Sequence, residues 1–272
     1  MTQHKTNVEI GWHADMTNAD YHSDPSLSST SVKKLSKSVA HFLHYEDADD
    51  EASKALDVGT AAHALILEGP DAYRKQIKVI DIKTRRSRTF KEFDTDKVKL
   101  TVHEDQDVHQ WRDAVFAHHA ARTLLEACDR RELSGFFELT DDFDGRVRLD
   151  AVSQTDGIIV DLKTTRDASP DNFARDLHRF GYHQSAAWYI DGANRLGLDV
   201  ERFVIIAVEK YAPHNVAVYE IDLNAIALGR AQNAAALQRF EEWLAMPELV
   251  GTSYSDKVET IDVPAWAYRK GA

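Results

Sequence analysis

A single cysteine in 272 residues, Cys128, leaves no partner for an internal disulfide and excludes a cysteine-rich zinc site or a four-cysteine iron–sulfur cluster. It reads as a core thiol. Long apolar runs are absent too, none approaching the ~18 residues a membrane span needs, and MTQHKTNVEIGWHADMTN has no apolar signal-peptide core. A cytoplasmic protein with no membrane partner is therefore expected. Neither G-x-x-x-x-G-K-[ST] nor G-x-G-x-x-G occurs, so nothing points to ATP or a dinucleotide. Basic charge is scarce: 33 Lys and Arg against 45 Asp and Glu give a net −12, which argues against coating nucleic acid through the whole surface.

The basic residues that are present are unevenly placed. RKQIKVIDIKTRRSRTFK, Arg74 to Lys91, carries eight of them and one acid, Asp81, so this stretch stands at +7 and the rest of the chain at −19. It is either a solvated loop or a local phosphate-contacting arm. A content of 43% hydrophobic and 29% charged residues describes a globular chain. One domain over 1–272 is expected, with a helical N-terminal extension over 1–54, a core over 55–250 and a C-terminal tail over 251–272.

Leu27 to Tyr45 has serine caps and apolar residues at helical spacing, and Ala55 to Gly69 reads as a buried helix with His63 in its middle. Ile77 to Ile82 suits a short strand, and about Glu104 to Arg131 one long helix. Gly135–Thr140, Gly145–Val152 and Gly157–Thr164 form strand-like pieces joined by short turns, which predicts an antiparallel meander. Two helices follow from Ser169, then the apolar strand Glu201–Tyr211, a neighbour at Val216–Ile221 and a final helix over Leu223–Leu244. This order predicts a mixed α/β (α+β) fold, a central mixed sheet flanked by helices.

Within the meander, GIIVDLKTT places Asp161 and Lys163 two residues apart, so both charges leave one strand face while Val160 and Leu162 fill the other. Buried charges need a partner or a metal. Asp150, at the end of the preceding strand, is within a hairpin's reach of Asp161. Two such carboxylates suit Mg²⁺ or Mn²⁺, and Lys163 can orient a water or offset phosphoryl charge. The alternative is an Asp161–Lys163 ion pair with no chemistry attached.

Across most of its length the chain resembles the RecE-like phage and prophage exonucleases of the PD-(D/E)XK nuclease superfamily. The resemblance is carried by LSSTSVKKLSKSVAHFLHY, VGTAAHALILEGP, RTFKEF, GFFELTDDFDGRVRLDAV with IIVDLKTTRDAS, and FGYHQSAAWYIDGA. It implies a PD-(D/E)XK restriction-endonuclease-like core with Asp150, Asp161 and Lys163 in the catalytic positions and His63 as the active-site histidine. One divalent ion, Mg²⁺ or in its place Mn²⁺, is expected on Asp150, Asp161 and the Leu162 carbonyl, with His63 contributing to a second ion or its surroundings. Gln184 and Tyr189 match the family's glutamine and tyrosine, except that they stand five residues apart where four is usual, which puts Ser185 at the glutamine position. Glu138, in the strand before Asp150, is expected to position metal or water. Arg85, Arg86, Arg88 and Lys91 of the basic loop, and Arg146 and Arg148 on the strand of Asp150, are expected to meet DNA phosphates.

The implied activity is degradation of linear double-stranded DNA from 5′ ends, leaving 3′ single-stranded overhangs for a RecT-like single-strand annealing protein. A homo-oligomeric ring, trimer or tetramer, would reconcile the acidic chain with DNA through a basic channel. An endonuclease on the same core, and a catalytically silent DNA-end-binding partner of an annealing protein, are the alternatives.

Overall fold

The structure, a computed structural model, describes residues 4–44, 50–248, 257–263 and 268. Six strands form the main sheet in the order β1-β4-β5-β6-β7-β8: β1 (Gly11–His13), β4 (Arg130–Glu138), β5 (Asp144–Ser153), β6 (Ile158–Thr165), β7 (Arg202–Glu209) and β8 (Val216–Glu220). The three central strands make the expected meander, because the turns after β4 and β5 are too short for a crossover. β6 and β7 run parallel, and the helices between them, α9 (Pro170–Arg179) and α10 (Tyr182–Arg195), supply the crossover that parallel pairing requires. The sheet is therefore mixed, as predicted.

Two layers of helix cover it. In β7 the alternation is complete: Phe203, Ile205 and Ala207 pack with α10, α2 (Ser29–Lys37) and α11 (Leu223–Ala245), while Val204, Ile206 and Val208 pack with the opposite layer. That opposite layer holds α4 (Asp50–His63), α7 (Val102–Ala117) and α8 (His119–Ala127). A strand buried on both faces reads as a continuous apolar run, which is what the sequence shows. α10 and α11 approach closely at Gly229, where a Cβ would lie 2.2 Å from the His183 carbonyl oxygen.

Several expected elements are divided differently. The long helix from Glu104 is two helices broken at His118, whose side chain caps α8 by accepting from the Ala121 N–H. β4 starts at Arg130, five residues before the expected strand, because its pairing with β5 continues back to Arg130 opposite Val152. Ser38 splits the first predicted helix into α2 and α3 (Val39–Leu43), its side chain accepting from the His41 N–H. Tyr45, the end of that expectation, lies outside the described residues. The N-terminal extension is not only helical: with α1 (Asn18–Ser23) it contributes β1, which pairs antiparallel with β4.

The expected strand at Ile77–Ile82 is present as β2 (Ile77–Ile80), which follows α5 (Pro70–Gln76). β2 pairs parallel with β3 (Val98–Thr101) in a small separate sheet, and α6 (Arg88–Glu92) lies between them in the basic segment. Most of the tail from Tyr254 lies outside the described residues. Among those described, no helix is long and apolar enough to cross a membrane.

Candidate active site

The main sheet opens at Asp150. Pairing of β5 with β6 covers Ser153↔Ile158, Val152↔Ile159 and Ala151↔Val160, then stops. On the other side, pairing with β4 runs Arg131↔Ala151 and Leu133↔Leu149, passing over Glu132 and Asp150. Where the β5–β6 ladder ends, side chains take its place. Asp150 Oδ2 accepts from the Leu162 N–H at 2.8 Å, and His63 Nε2 donates to the Leu162 carbonyl at 3.1 Å. Both main-chain groups of Leu162 are thereby satisfied without a backbone partner in β5.

His63 arrives from the other layer. It ends α4 and begins a π-helical segment, Ala64–Glu68, the kind of helical irregularity that recurs at functional sites. Gly69, at φ 93°, and Pro70 stop it. The imidazole Nδ1 lies 3.4 Å from Glu132 Oε1 and 3.6 Å from Asp150 Oδ2. His63, Glu132 and Asp150 form a group whose ligand atoms lie within 4.8 Å of one another and can hold a metal ion.

Glu132 reaches the group through unusual backbone. Its φ of 48° is left-handed, a conformation costing a non-glycine residue about 1 kcal/mol or more. One carboxylate oxygen, Oε2, receives the Arg148 Nε–H at 2.7 Å. The other, Oε1, is buried without a hydrogen bond.

Beside this group, Lys163 Nζ stands 2.5 Å from Asp161 Oδ2 and 5.7 Å from the centre of the Tyr182 ring. The two are in ionic contact without the angles of a hydrogen bond. A cleft of about 540 Å³ joins these residues, with Asp150, Asp161, Lys163, Tyr189, Arg148 and His63 on its walls. Burial would lower the basicity of Lys163, but Asp161 and Asp150 raise it above its usual range, so it is an ammonium at neutral pH. Burial, reinforced by Asp161, pushes the Tyr189 phenol up to about 12, and it remains a neutral donor.

Burial by itself would push His63 down, yet Asp150 and Glu132 together lift it to about 9. A raised folded-state value contributes stability that is complete below about 6.5 and lost as pH rises through about 9. In chelator, raising pH from 6.5 to 9 is therefore expected to cost about 2 kcal/mol, allowing for partial exposure of the ring. Thermal melts at the two pH values should show a fall of several degrees that shrinks in His63→Gln. Added Mg²⁺ should stabilise most at the upper pH, where no proton competes for the imidazole. Equal slopes in the two proteins would overturn the assignment of this linkage to His63.

The remaining expected residues are placed as follows. Glu138 is exposed at the far end of β4, opposite Asp144, and the carboxylate on that strand that faces Asp150 is Glu132. Gln184 points away from the cleft, its amide donating to Ser36 Oγ at 2.8 Å and to Asn233 Oδ1 at 3.3 Å. Arg85 is held inside the fold by Glu104 and Asp57, at 2.9 and 2.6 Å. Arg146 is buried, donating to the carbonyls of Asp24 and Ser26 and lying over Tyr21. Both arginines are thus spent on packing. Arg86, Arg88 and Lys91 are exposed, with Arg88 paired to Glu92 at 2.7 Å. Sequence reasoning missed Glu132, although extending the hairpin register from the Thr140–Gly145 turn places it opposite Asp150.

Residues 28–262 match the family model of a PDDEXK-like domain of unknown function, DUF3799. Among solved structures, a candidate exonuclease from Eubacterium rectale superposes with a TM-score of 0.61 at 14% identity, covering 96% of this chain and 100% of that one. At that identity the likeness concerns the fold. A phage-related exonuclease from Haemophilus somnus reaches a TM-score of 0.35 at 13% identity, over 82% of this chain and 96% of its own. No curated protein matches the sequence.

Proposed function

The chain belongs to the PDDEXK-like DUF3799 family, and from that premise we propose that it is a divalent-metal-dependent exodeoxyribonuclease acting on the ends of linear double-stranded DNA. The observation that carries this reading is the meeting of His63, Glu132 and Asp150 beside the Asp161–Lys163 pair, at the one place where β5 parts from both neighbours.

The donor set fits a hard divalent cation. Carboxylate oxygens dominate it, and the buried Glu132 Oε1 has no hydrogen bond to give up. Such ligands suit Mg²⁺, with Mn²⁺ as a substitute. His63, Glu132 and Asp150 would hold it, with Asp161 adjacent. When bound, the ion supplies charge neutralisation on phosphoryl oxygens and makes water more acidic.

The protein's own groups do the rest. Lys163, fixed as an ammonium, donates toward the phosphoryl group and its attacking water; it is not a base. Asp161 and the Tyr182 ring hold that ammonium in place. The neutral Tyr189 phenol offers a second donor on the cleft wall. His63 must shed the proton that Asp150 and Glu132 help it retain before it can ligate a metal. Arg86, Arg88 and Lys91, exposed on the basic segment, would meet duplex phosphates, Arg88 leaving Glu92 to do so.

The resemblance to RecE-like exonucleases supports digestion from 5′ ends, 3′ overhangs handed to a RecT-like annealing protein, and a trimeric or tetrameric ring. The net charge of −12 agrees with DNA contact confined to a local basic surface. The test follows label release from 5′-labelled and 3′-labelled linear duplexes, with closed circular DNA alongside, in Mg²⁺ and in EDTA. Early loss of the 5′ label alone, in Mg²⁺ only, is the expected result. Cutting of the closed circle would make the protein an endonuclease, and no release with either Mg²⁺ or Mn²⁺ would leave a DNA-end-binding module.

A further inference from the structure

Arg148 lies on the cleft wall of an enzyme proposed to bind DNA, and the simplest role for it would be a phosphate contact. Its hydrogen bonds say otherwise. Its Nε donates to Glu132 Oε2 at 2.7 Å, and its Nη1 to Ser134 Oγ at 2.6 Å and the Met16 carbonyl at 3.0 Å. The guanidinium also lies 5.8 Å from the centre of the Tyr21 ring. Three hydrogen bonds of the planar fork are thus fixed by two segments, β4 and the stretch at Met16, and only 13% of the side chain is exposed.

The other half of the contact is equally constrained. Glu132 sits on left-handed backbone, and of its two oxygens only Oε2 is engaged by the arginine. Oε1 is left buried and facing His63 Nδ1. A carboxylate gripped through one oxygen presents the other in a single orientation.

We infer that Arg148 is a positioning residue for the metal, clamping Glu132 so that its free oxygen serves as a third ligand beside His63 and Asp150. Met16 and Tyr21, which brace the arginine, precede the stretch matched by the family model, which begins at residue 28. The N-terminal segment is on this account part of the metal site's support. The inference rests on the metal-dependent reading above. It also resolves a competition of effects. A cation 2.7 Å from a ligand weakens that ligand's pull on a metal by charge, while fixing its geometry strengthens it. A fork held by three hydrogen bonds means that geometry dominates, and partners of this kind contribute about 10–100-fold to metal affinity.

The experiment measures Mn²⁺ and Mg²⁺ affinity by calorimetry without DNA, on the full chain, for the unaltered protein, Arg148→Met, Arg148→Lys and Glu132→Gln. A tenfold or greater weakening is expected in Arg148→Met, with partial recovery in Arg148→Lys, which keeps charge but not the fork. Glu132→Gln preserves an acceptor for Arg148, so it keeps the fold even if Arg148→Met does not, and it should weaken binding at least tenfold. Unchanged or tighter metal binding in Arg148→Met or Glu132→Gln overturns the inference while leaving the nuclease reading intact. Failure of the unaltered protein to bind either metal sinks both. A variant with normal metal affinity but a raised KM for DNA would make Arg148 a phosphate contact instead.

Discussion

Replacing Lys163 with alanine is expected to lower the rate of DNA hydrolysis about a thousandfold while leaving Mg²⁺ affinity unweakened. The expectation follows from where the ammonium stands. It is 2.5 Å from Asp161 Oδ2, raised in basicity by Asp161 and Asp150, and on the wall of the cleft with the candidate ligands. A positive charge that never titrates near neutrality can stabilise charge developing on a phosphoryl group without protonation chemistry of its own. Asp161 is only 5% exposed at its side chain, so removing its cation strands a buried carboxylate. A loss of about 1–3 kcal/mol is expected, less than for a fully buried pair because a quarter of Lys163 is accessible. Lys163→Arg, which retains the charge, should recover stability but little rate, since the planar fork cannot reproduce a point donor. Single-turnover cleavage with metal titrated to saturation separates the two effects. A rate within tenfold of normal in Lys163→Ala would reduce the Asp161–Lys163 pair to a structural ion bridge.

That alternative could not be dismissed from the sequence, and the reason is physical. Alternation along a strand places Asp161 and Lys163 on one face whether or not a metal belongs there. What distinguishes the two cases is the company the face keeps, and this depends on contacts between residues far apart in the chain. His63 lies 99 residues from Leu162, to whose carbonyl it donates. The meander, the mixed sheet and the helices after β6 were legible because turns, strand period and caps are local signals. A strand begun at Gly135, five residues late, leaves Glu132 outside it and Glu138 as its acid. Within β4 the polar ArgArgGluLeuSer segment lacks the apolar alternation that marks a strand, and its register is imposed by β5. Arg85 and Arg146 read as DNA contacts in the sequence because a sequence shows charge and not its partner. Glu104, Asp57 and Asp24, which neutralise them, come from other parts of the chain. The spacing of Gln184 and Tyr189 carried a usable warning: five residues apart on a helix, they point in different directions, one to α11 and the other into the cleft.

Asp150→Asn should weaken Mg²⁺ binding at least a hundredfold and abolish measurable hydrolysis, with the fold retained. The fold is retained because the structural duty of Asp150, accepting the Leu162 N–H at 2.8 Å, can be met by an asparagine carbonyl. What asparagine cannot supply is the anion. Burial, with Asp161 and Glu132 adding to it, pushes the Asp150 carboxyl up to about 6 despite the opposing pull of His63 and Lys163. A raised carboxyl is one whose charge costs stability, a cost that grows as pH rises from about 4 through about 6. Above that range the metal-free variant should consequently melt close to the unaltered protein, the lost attraction to His63 offsetting the removal of a disfavoured charge. Loss of one of the anions that raise His63 should also reduce the fall in melting temperature between pH 6.5 and 9. Calorimetric metal titration and melts across that range read both consequences on one variant. Normal metal affinity would mean that β5 parts from its neighbours for architectural reasons alone. A hundredfold loss in a protein that still melts normally would mean that a carboxylate is kept where it is least stable because a cation is to be held there.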